Sequence, residues 1–246
     1  MKFTVMKTFI IFNLALFFLS LSVSNLSAQK KSEMTNKIKI AHIKKDFPIS
    51  ELDNISWKKA KEISIENYWS GKRAEIGRHA KAKLLWSDAA FYIRFEANQT
   101  EPLVVSDAPN LKSKTLGLWD RDVCEIFVAP NADEPRKYYE FEIAPTGEWI
   151  DLAIHQLPNR RETNFDYNSG IQSAAKIEPN KIVMAIKIEW KAFGKTPQVN
   201  EIWKGNLFRC VGAGDARGYL SWQATKTETP NFHVPEAFGE FQFIKK

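Results

Sequence analysis

The sequence predicts an all-β protein, a two-sheet antiparallel β-sandwich of the jelly-roll or immunoglobulin-like kind, and three observations lead there. Short stretches carry an apolar residue at every second position; turn-forming clusters separate them; and no long stretch spaces its apolar residues as a helix would. Composition agrees. With 44% hydrophobic and 26% charged residues the chain is of the folding kind, and two cysteines are too few for a disulfide framework.

The elements follow in order. Lys2 and Lys7 precede an apolar run from Phe9 to Val23, and Ser24-Asn25-Leu26-Ser27-Ala28-Gln29 follows it, which are the basic, apolar and small-residue zones of a secretory signal peptide. Residues 1–28 are read as that peptide, cleaved after Ala28, because the run falls short of the roughly 20 residues a membrane-spanning helix needs. No cysteine stands at the cleavage site to carry a lipid, so the product is expected to be secreted or periplasmic and free of the membrane. Residues 29–37 are polar and read as a flexible tether. Residues 38–246 read as one domain.

Within that domain, Ile38 and Ile40, Ile63 and Ile65, Phe91, Ile93 and Phe95, and Tyr139, Phe141 and Ile143 each alternate with other residues, which puts them on one face of a strand. Further strands are predicted at Lys81–Trp86, Val123–Val128, Trp149–His155, Ile171–Ile177, Lys181–Glu189, Leu207–Gly212, Tyr219–Ala224 and Glu240–Ile244. Turn chemistry separates them, as in Pro130-Asn131-Ala132-Asp133-Glu134-Pro135, Pro145-Thr146-Gly147 and Gly212-Ala213-Gly214-Asp215. Trp57, Trp86 and Trp190 stand beside apolar strand residues and are assigned to the core. Cys124 and Cys210 lie in apolar strands, where either a disulfide or two buried thiols are compatible with an exported chain.

Several function classes find no support. The net charge of +6 is scattered and drops with the leader, and no basic stripe interleaves with aromatics, so nucleic acid is not expected as a partner. No nucleophile elbow, zinc-binding helix, paired Cys-x-x-Cys or phosphate loop occurs, and the four histidines show no ligand spacing. What stands out is Trp119, which follows the turn-prone Ser113–Leu118 and precedes Asp120-Arg121-Asp122. An aromatic face beside charged hydrogen-bonding groups suits a sugar, whose C–H face packs on the ring while its hydroxyls meet carboxylates and guanidinium groups. Carboxylates continue through Glu125, Glu140, Glu142, Glu148 and Asp151.

The segment Leu118-Trp119-Asp120-Arg121-Asp122-Val123-Cys124-Glu125-Ile126-Phe127-Val128 resembles the Trp-x-x-Asp-x-Val-Glu-Ile-Phe type strand of family 9 carbohydrate-binding modules. Ile55–Ala60, Leu84–Ile93, Tyr138–Gly147 and the closing stretch Pro230–Phe243 are similar to that family in order and spacing. The resemblance implies a β-sandwich that binds a polysaccharide or oligosaccharide end without cleaving it, exported for use with polysaccharide-degrading enzymes. It places Trp119 as the first of two clamping rings, Phe232 at the second, and Glu125 as the acidic strand residue; Asp122 and Arg209 are further ligand candidates, and Glu125 is alternatively a partner of Arg209. The sequence departs from the family in having Phe232 for a tryptophan, Asn98-Gln99 for an acidic residue and Glu142 for an arginine. No cofactor is called for; a structural calcium ion is compatible with the likeness, on loops such as Asn131–Glu134 or Gly214-Asp215.

Two other classes compete. Related sandwiches hold a b-type haem between Met and His, for which Met34 and Met184 are the methionines left after cleavage, and Met184 reads as core. A glycoside hydrolase would pair Glu125 with Asp151 or Glu142.

Overall fold

Strand β1 (Lys37–His42) buries Ile38 and Ile40 and turns Lys37 and Lys39 to solvent, the period-two pattern its sequence predicts. The structure, a computed structural model, describes residues 36–245 together with Met1, so the proposed signal peptide, Met34 and most of the tether lie outside the described residues. Thirteen further strands follow among the described residues: β2 (Ile63–Ile65), β3 (Asn67–Tyr68), β4 (Ala80–Trp86), β5 (Ala90–Asn98), β6 (Val123–Ala129), β7 (Lys137–Ile143), β8 (Trp149–Gln156), β9 (Arg161–Asn164), β10 (Gln172–Glu178), β11 (Lys181–Glu189), β12 (Ile202–Val211), β13 (Gly218–Ser221) and β14 (Gly239–Ile244). The all-β class holds; among the described residues helical structure is limited to short 3-10 segments.

The expected pair of antiparallel sheets is corrected. The strands join one sheet in the order β10-β11-β5-β4-β1-β14-β12-β6-β7-β8-β9, with β2 beside β4 and β13 bridging β12 to β3. The sheet is mixed, because β1 runs parallel to both β14 and β4. It is also curled: Phe91, Ile93 and Phe95 of β5 share one core with Cys124, Ile126 and Val128 of β6, although four strands separate β5 from β6 in the sheet order. Strand β1, which takes in Lys37 from the end of the expected tether, therefore stitches the two halves together. It pairs with β14 from Lys37↔Glu240 to Ala41↔Ile244, aided by a 2.9 Å Lys37–Glu240 ion pair, and meets β4 only at Ala41↔Leu85 and His42↔Trp86.

The main core is aromatic. Trp203 has no exposed surface and meets the ring of Phe243 at 4.9 Å and that of Trp190 at 5.8 Å, both edge-on. Trp57, Trp86 and Trp190 are buried as predicted. Two smaller clusters cover the outer faces: Ile43, Phe47, Ile49 and Trp57 close over Leu85 and Tyr92, while Leu118, Phe232 and Phe238 pack on Val123, Phe127, Tyr138 and Phe208. Both faces of β6 are thus buried, and every one of its residues is inside.

Cys124 and Cys210 are free buried thiols. They occupy adjacent strands, but the register sets Cys124 opposite Arg209 and Cys210 opposite Val123, so the two side chains leave opposite faces of the sheet. A disulfide between them is geometrically excluded. Two strands, β3 and β9, are too short and polar to show an alternating pattern, and β12 starts at Ile202 rather than Leu207. Among the described residues no helix is long and apolar enough to cross a membrane.

Gly205 of β12 lies where the backbone of β6 and the ring of Phe241 close in, and a Cβ there would collide with the Phe127 carbonyl and that ring. Gly205→Ala is expected to lower stability by ~1–3 kcal/mol, read as a fall in the urea midpoint at unchanged slope.

Candidate functional site

Gly117 enters the turn before β6 with φ of 77°, a left-handed conformation that costs glycine little, and a single 3-10 turn spans Leu118–Asp120. Leu118 is fully buried and pins the turn to the second cluster, while Trp119 is 38% exposed. The backbone of the turn is held by Arg217: its Nη2 donates to the carbonyls of Trp119 (2.6 Å) and Arg121 (2.7 Å), and its Nη1 to those of Asp120 (3.0 Å) and Gly212 (2.9 Å). The guanidinium also lies over the Tyr219 ring at 5.5 Å. Nothing in the sequence marks Arg217 for this task.

Behind Trp119 opens a cavity of about 370 Å³, a size that takes a small organic ligand. Phe232 and Tyr219 form one wall, Arg161 and Thr163 of β9 the opposite one, and Glu125 and Glu140 the floor. Phe232 is nearly buried, its ring lying flat on Phe208 at 4.1 Å, so one of its faces is covered. Trp119, Glu125 and Phe232 all line this one cavity.

Asp122 and Arg209 lie elsewhere. Asp122 accepts from the backbone N–H groups of Gly212 (2.7 Å) and Val104 (3.1 Å) and from Gln99 Nε2 (3.2 Å). Arg209 donates to Gln99 Oε1 (2.7 Å) and to the carbonyls of Arg78 (2.8 Å) and His79 (3.1 Å). They belong to a buried network that ties loops to the main core. Glu125 does not pair with Arg209, because β12 lies beside β6 but presents Phe208, not Arg209, opposite Glu125.

The cavity floor is unusual for its charge. Glu125 of β6 sits directly across from Glu142 of β7, and Glu140 emerges on the same face two residues along. Carboxylate oxygens of all three lie within 4.8 Å of one another, and all three residues are buried. Burial first, and the neighbouring Glu140 charge second, push the Glu125 carboxyl from its usual 4.5 up to about 8. Burial, then the charges of Glu125 and Glu140, hold Glu142 well above its usual range, and burial raises Glu140. Cys210 Sγ contacts Glu125 Oε1 at 3.4 Å, and its thiol is raised well above the usual value chiefly by burial. His233 shares a 2.7 Å hydrogen bond with Tyr138 Oη, and burial, with Arg161 nearby, lowers its imidazole to about 3, so it is neutral at physiological pH.

Of the two acids expected to partner Glu125 in a hydrolase, Glu142 stands beside it and Asp151 does not. Asp151 leaves the opposite face of the sheet, where Lys114 Nζ meets it at 2.6 Å and the Ser169 N–H donates to it at 2.6 Å. Met184 is packed in the main core, as its sequence context predicts. In the Asn131–Glu134 loop, one of the two named for calcium, the oxygens are engaged within the protein: Glu134 is held by Lys137 and Asn131, and Asn131 Oδ1 accepts from the Asp133 N–H. Arg161 and Thr163 were not legible as site residues, because β9 carries no apolar alternation; the Glu140-x-Glu142 spacing beside Glu125 was the available sign of a shared acidic face.

Residues 50–246 match the family described as carbohydrate family 9 binding domain-like. The chain belongs to this family. Among solved structures, a candidate carbohydrate-binding protein from Bacteroides uniformis superposes with a TM-score of 0.66 at 16% identity, covering 84% of this chain and 98% of that one. A family 9 carbohydrate-binding module from Caldicellulosiruptor kristjanssonii in complex with cellotriose gives 0.61 at 17% identity, covering 85% and 94%. The same organism's module in complex with glucose gives 0.59 at 17%, covering 85% and 96%. No curated protein matches the sequence. These likenesses establish the fold of a carbohydrate family 9 binding domain, and the site is argued from its own residues.

Because the fold holds the Glu125 carboxyl protonated above its usual value, the unfolded chain releases this proton at lower pH than the native one, and stability contributed by the neutral acid is lost as pH rises towards about 8. Glu125→Gln is therefore expected to gain stability relative to the parent between about pH 5 and about pH 9, measured as the difference in thermal midpoint in chelator-containing buffer. A difference independent of pH would contradict the buried-acid assignment.

Proposed function

We propose that this chain is a non-catalytic carbohydrate-binding protein that takes the end of an oligosaccharide or polysaccharide into the cavity behind Trp119. The observation that carries the reading is a half-exposed indole, its backbone fixed by Arg217, at the mouth of a cavity floored by carboxyl groups. The indole offers a stacking face for a pyranose ring, Glu125 and Glu140 offer hydrogen bonds to hydroxyls, and Arg161 offers donors from the facing wall. Membership of a binding-domain family supports a role without catalysis. A cello-oligosaccharide is the first ligand to try, because a structural relative is in complex with cellotriose.

Export through the signal peptide, with cleavage after Ala28, and use alongside polysaccharide-degrading enzymes complete the proposal; both rest on the leader sequence and on the resemblance.

Calorimetric titration of the chain from Gln29 to Lys246 with cello-, xylo-, manno- and galacto-oligosaccharides tests it. One series is expected to bind saturably in the micromolar to millimolar range. Trp119→Ala is expected to weaken that binding at least about tenfold, ~1.4 kcal/mol, with the fold retained. Undiminished binding by folded Trp119→Ala would remove Trp119 from the site, and release of reducing sugar lost in Glu125→Gln would contradict the non-catalytic role.

A further inference from the structure

Buried carboxyl groups elsewhere in the molecule are supplied with donors. Asp122 takes three, and Glu148 is bonded by Thr115 and Thr146 hydroxyls and by Arg121. Among the described residues Glu142 differs from these. It has no exposed surface, and no donor from outside the acid cluster reaches either of its carboxyl oxygens or Glu140 Oε2; the one hydrogen bond open to them is a proton shared between the Glu140 and Glu142 carboxyls themselves. Groups of this kind are rarely left unmatched in native proteins. Three cationic or donor groups stand near them: His233 Nε2 is 4.0 Å from Glu140 Oε2, Arg217 directs both terminal nitrogens to backbone carbonyls, and Arg161 lines the cavity and acts on Glu140 through its charge.

The three carboxyl groups are gathered at one place. Oxygens of Glu125, Glu140 and Glu142 lie within 4.8 Å of one another, which is the spread of ligands around a single ion bound at roughly 2.3–2.6 Å from each. The two strands fix this spacing, since Glu125 and Glu142 are a cross-strand pair and Glu140 follows on the same face. The donor set is carboxylate oxygen alone, the set that suits Ca²⁺, Mg²⁺ and Mn²⁺.

We propose that Glu125, Glu140 and Glu142 hold a hard divalent cation, of the calcium or manganese kind, at the floor of the cavity. Glu142 closes the site from within the protein, while Glu125 and Glu140 line the cavity. The coordination positions that the three carboxylates leave therefore face the cavity. Water fills them in the free protein. Vicinal hydroxyls of a bound sugar can replace that water, a step that rests on the reading of the preceding subsection.

The test is a titration of the full chain, freed of metal by a chelator, with Ca²⁺, Mg²⁺, Mn²⁺ and Zn²⁺ separately, followed by thermal midpoint and by calorimetric heat without sugar. Ca²⁺ or Mn²⁺ is expected to bind saturably at one site per chain and to raise the midpoint. Glu142→Gln is expected to lose this response while its metal-free midpoint equals or exceeds that of the parent, since one of three crowded acids is gone. Should that variant not fold, Glu140→Gln serves the same readout. Absence of heat and of any midpoint shift with all four ions would overturn the proposal, as would a full response in folded Glu142→Gln. A response to Zn²⁺ alone that disappears in Cys210→Ser would overturn the oxygen-donor assignment. Sugar binding without any metal response would leave the carbohydrate reading standing and end this one; metal binding in a protein that takes no sugar would do the reverse.

Discussion

Three carboxyl groups buried side by side on β6 and β7 are the constraint on which the site depends. Charges placed there without a counter-ion would be costly, so the groups carry protons, share them, or meet a cation. Every alternative needs the two strands held in fixed register, and the fold supplies that register from both sides. The main core locks Cys124, Ile126, Val128, Phe141 and Ile143 on one face, and Phe127, Tyr138 and Phe208 flank the carboxyls on the other. A slip of one residue would turn Glu125 into the aromatic core and Ile126 into the cavity.

The rest of the site is arranged around this rigid floor. Trp119 stands on a turn, yet it is not loosely held, because Leu118 is anchored below it and Arg217 engages the carbonyls of Trp119, Asp120 and Arg121. The result is an exposed ring on a preorganised backbone, which limits the ordering needed when a ligand arrives. Phe232 has a different part: stacked on Phe208, it shapes the wall and cannot offer two faces to a ligand.

Much of this was legible in the sequence, and the remainder was hidden for identifiable reasons. Strands such as β5 and β11 carry an apolar residue at every second position, Phe91, Ile93 and Phe95 in one and Ile182, Met184, Ile186 and Ile188 in the other, and declare themselves. The parallel seam of β1 with β14 does not, since pairing between the two ends of a chain leaves no local pattern, and antiparallel hairpins were the natural inference. The motifs around Trp119, Glu125 and Phe232 single them out, and these three line one cavity. Arg209 and Asp122 were misplaced because period two tells which residues share a face but not which face meets the cavity, and Arg209 lies on the core side beside Cys124. Arg217 acts on backbone carbonyls alone, a role that no side-chain motif records.

The central claim is that a sugar ring stacks on Trp119 above the carboxyl floor. It is tested most directly by following the backbone and indole N–H resonances of the ¹⁵N-labelled chain during titration with cellotriose or whichever oligosaccharide binds. The account predicts that the Trp119 indole N–H and the amides of Trp119, Glu125, Thr163 and Phe232 move together and saturate together, with the main-core strands β5 and β11 unmoved. Saturable shifts confined to another surface, leaving the Trp119 indole in place, would contradict it.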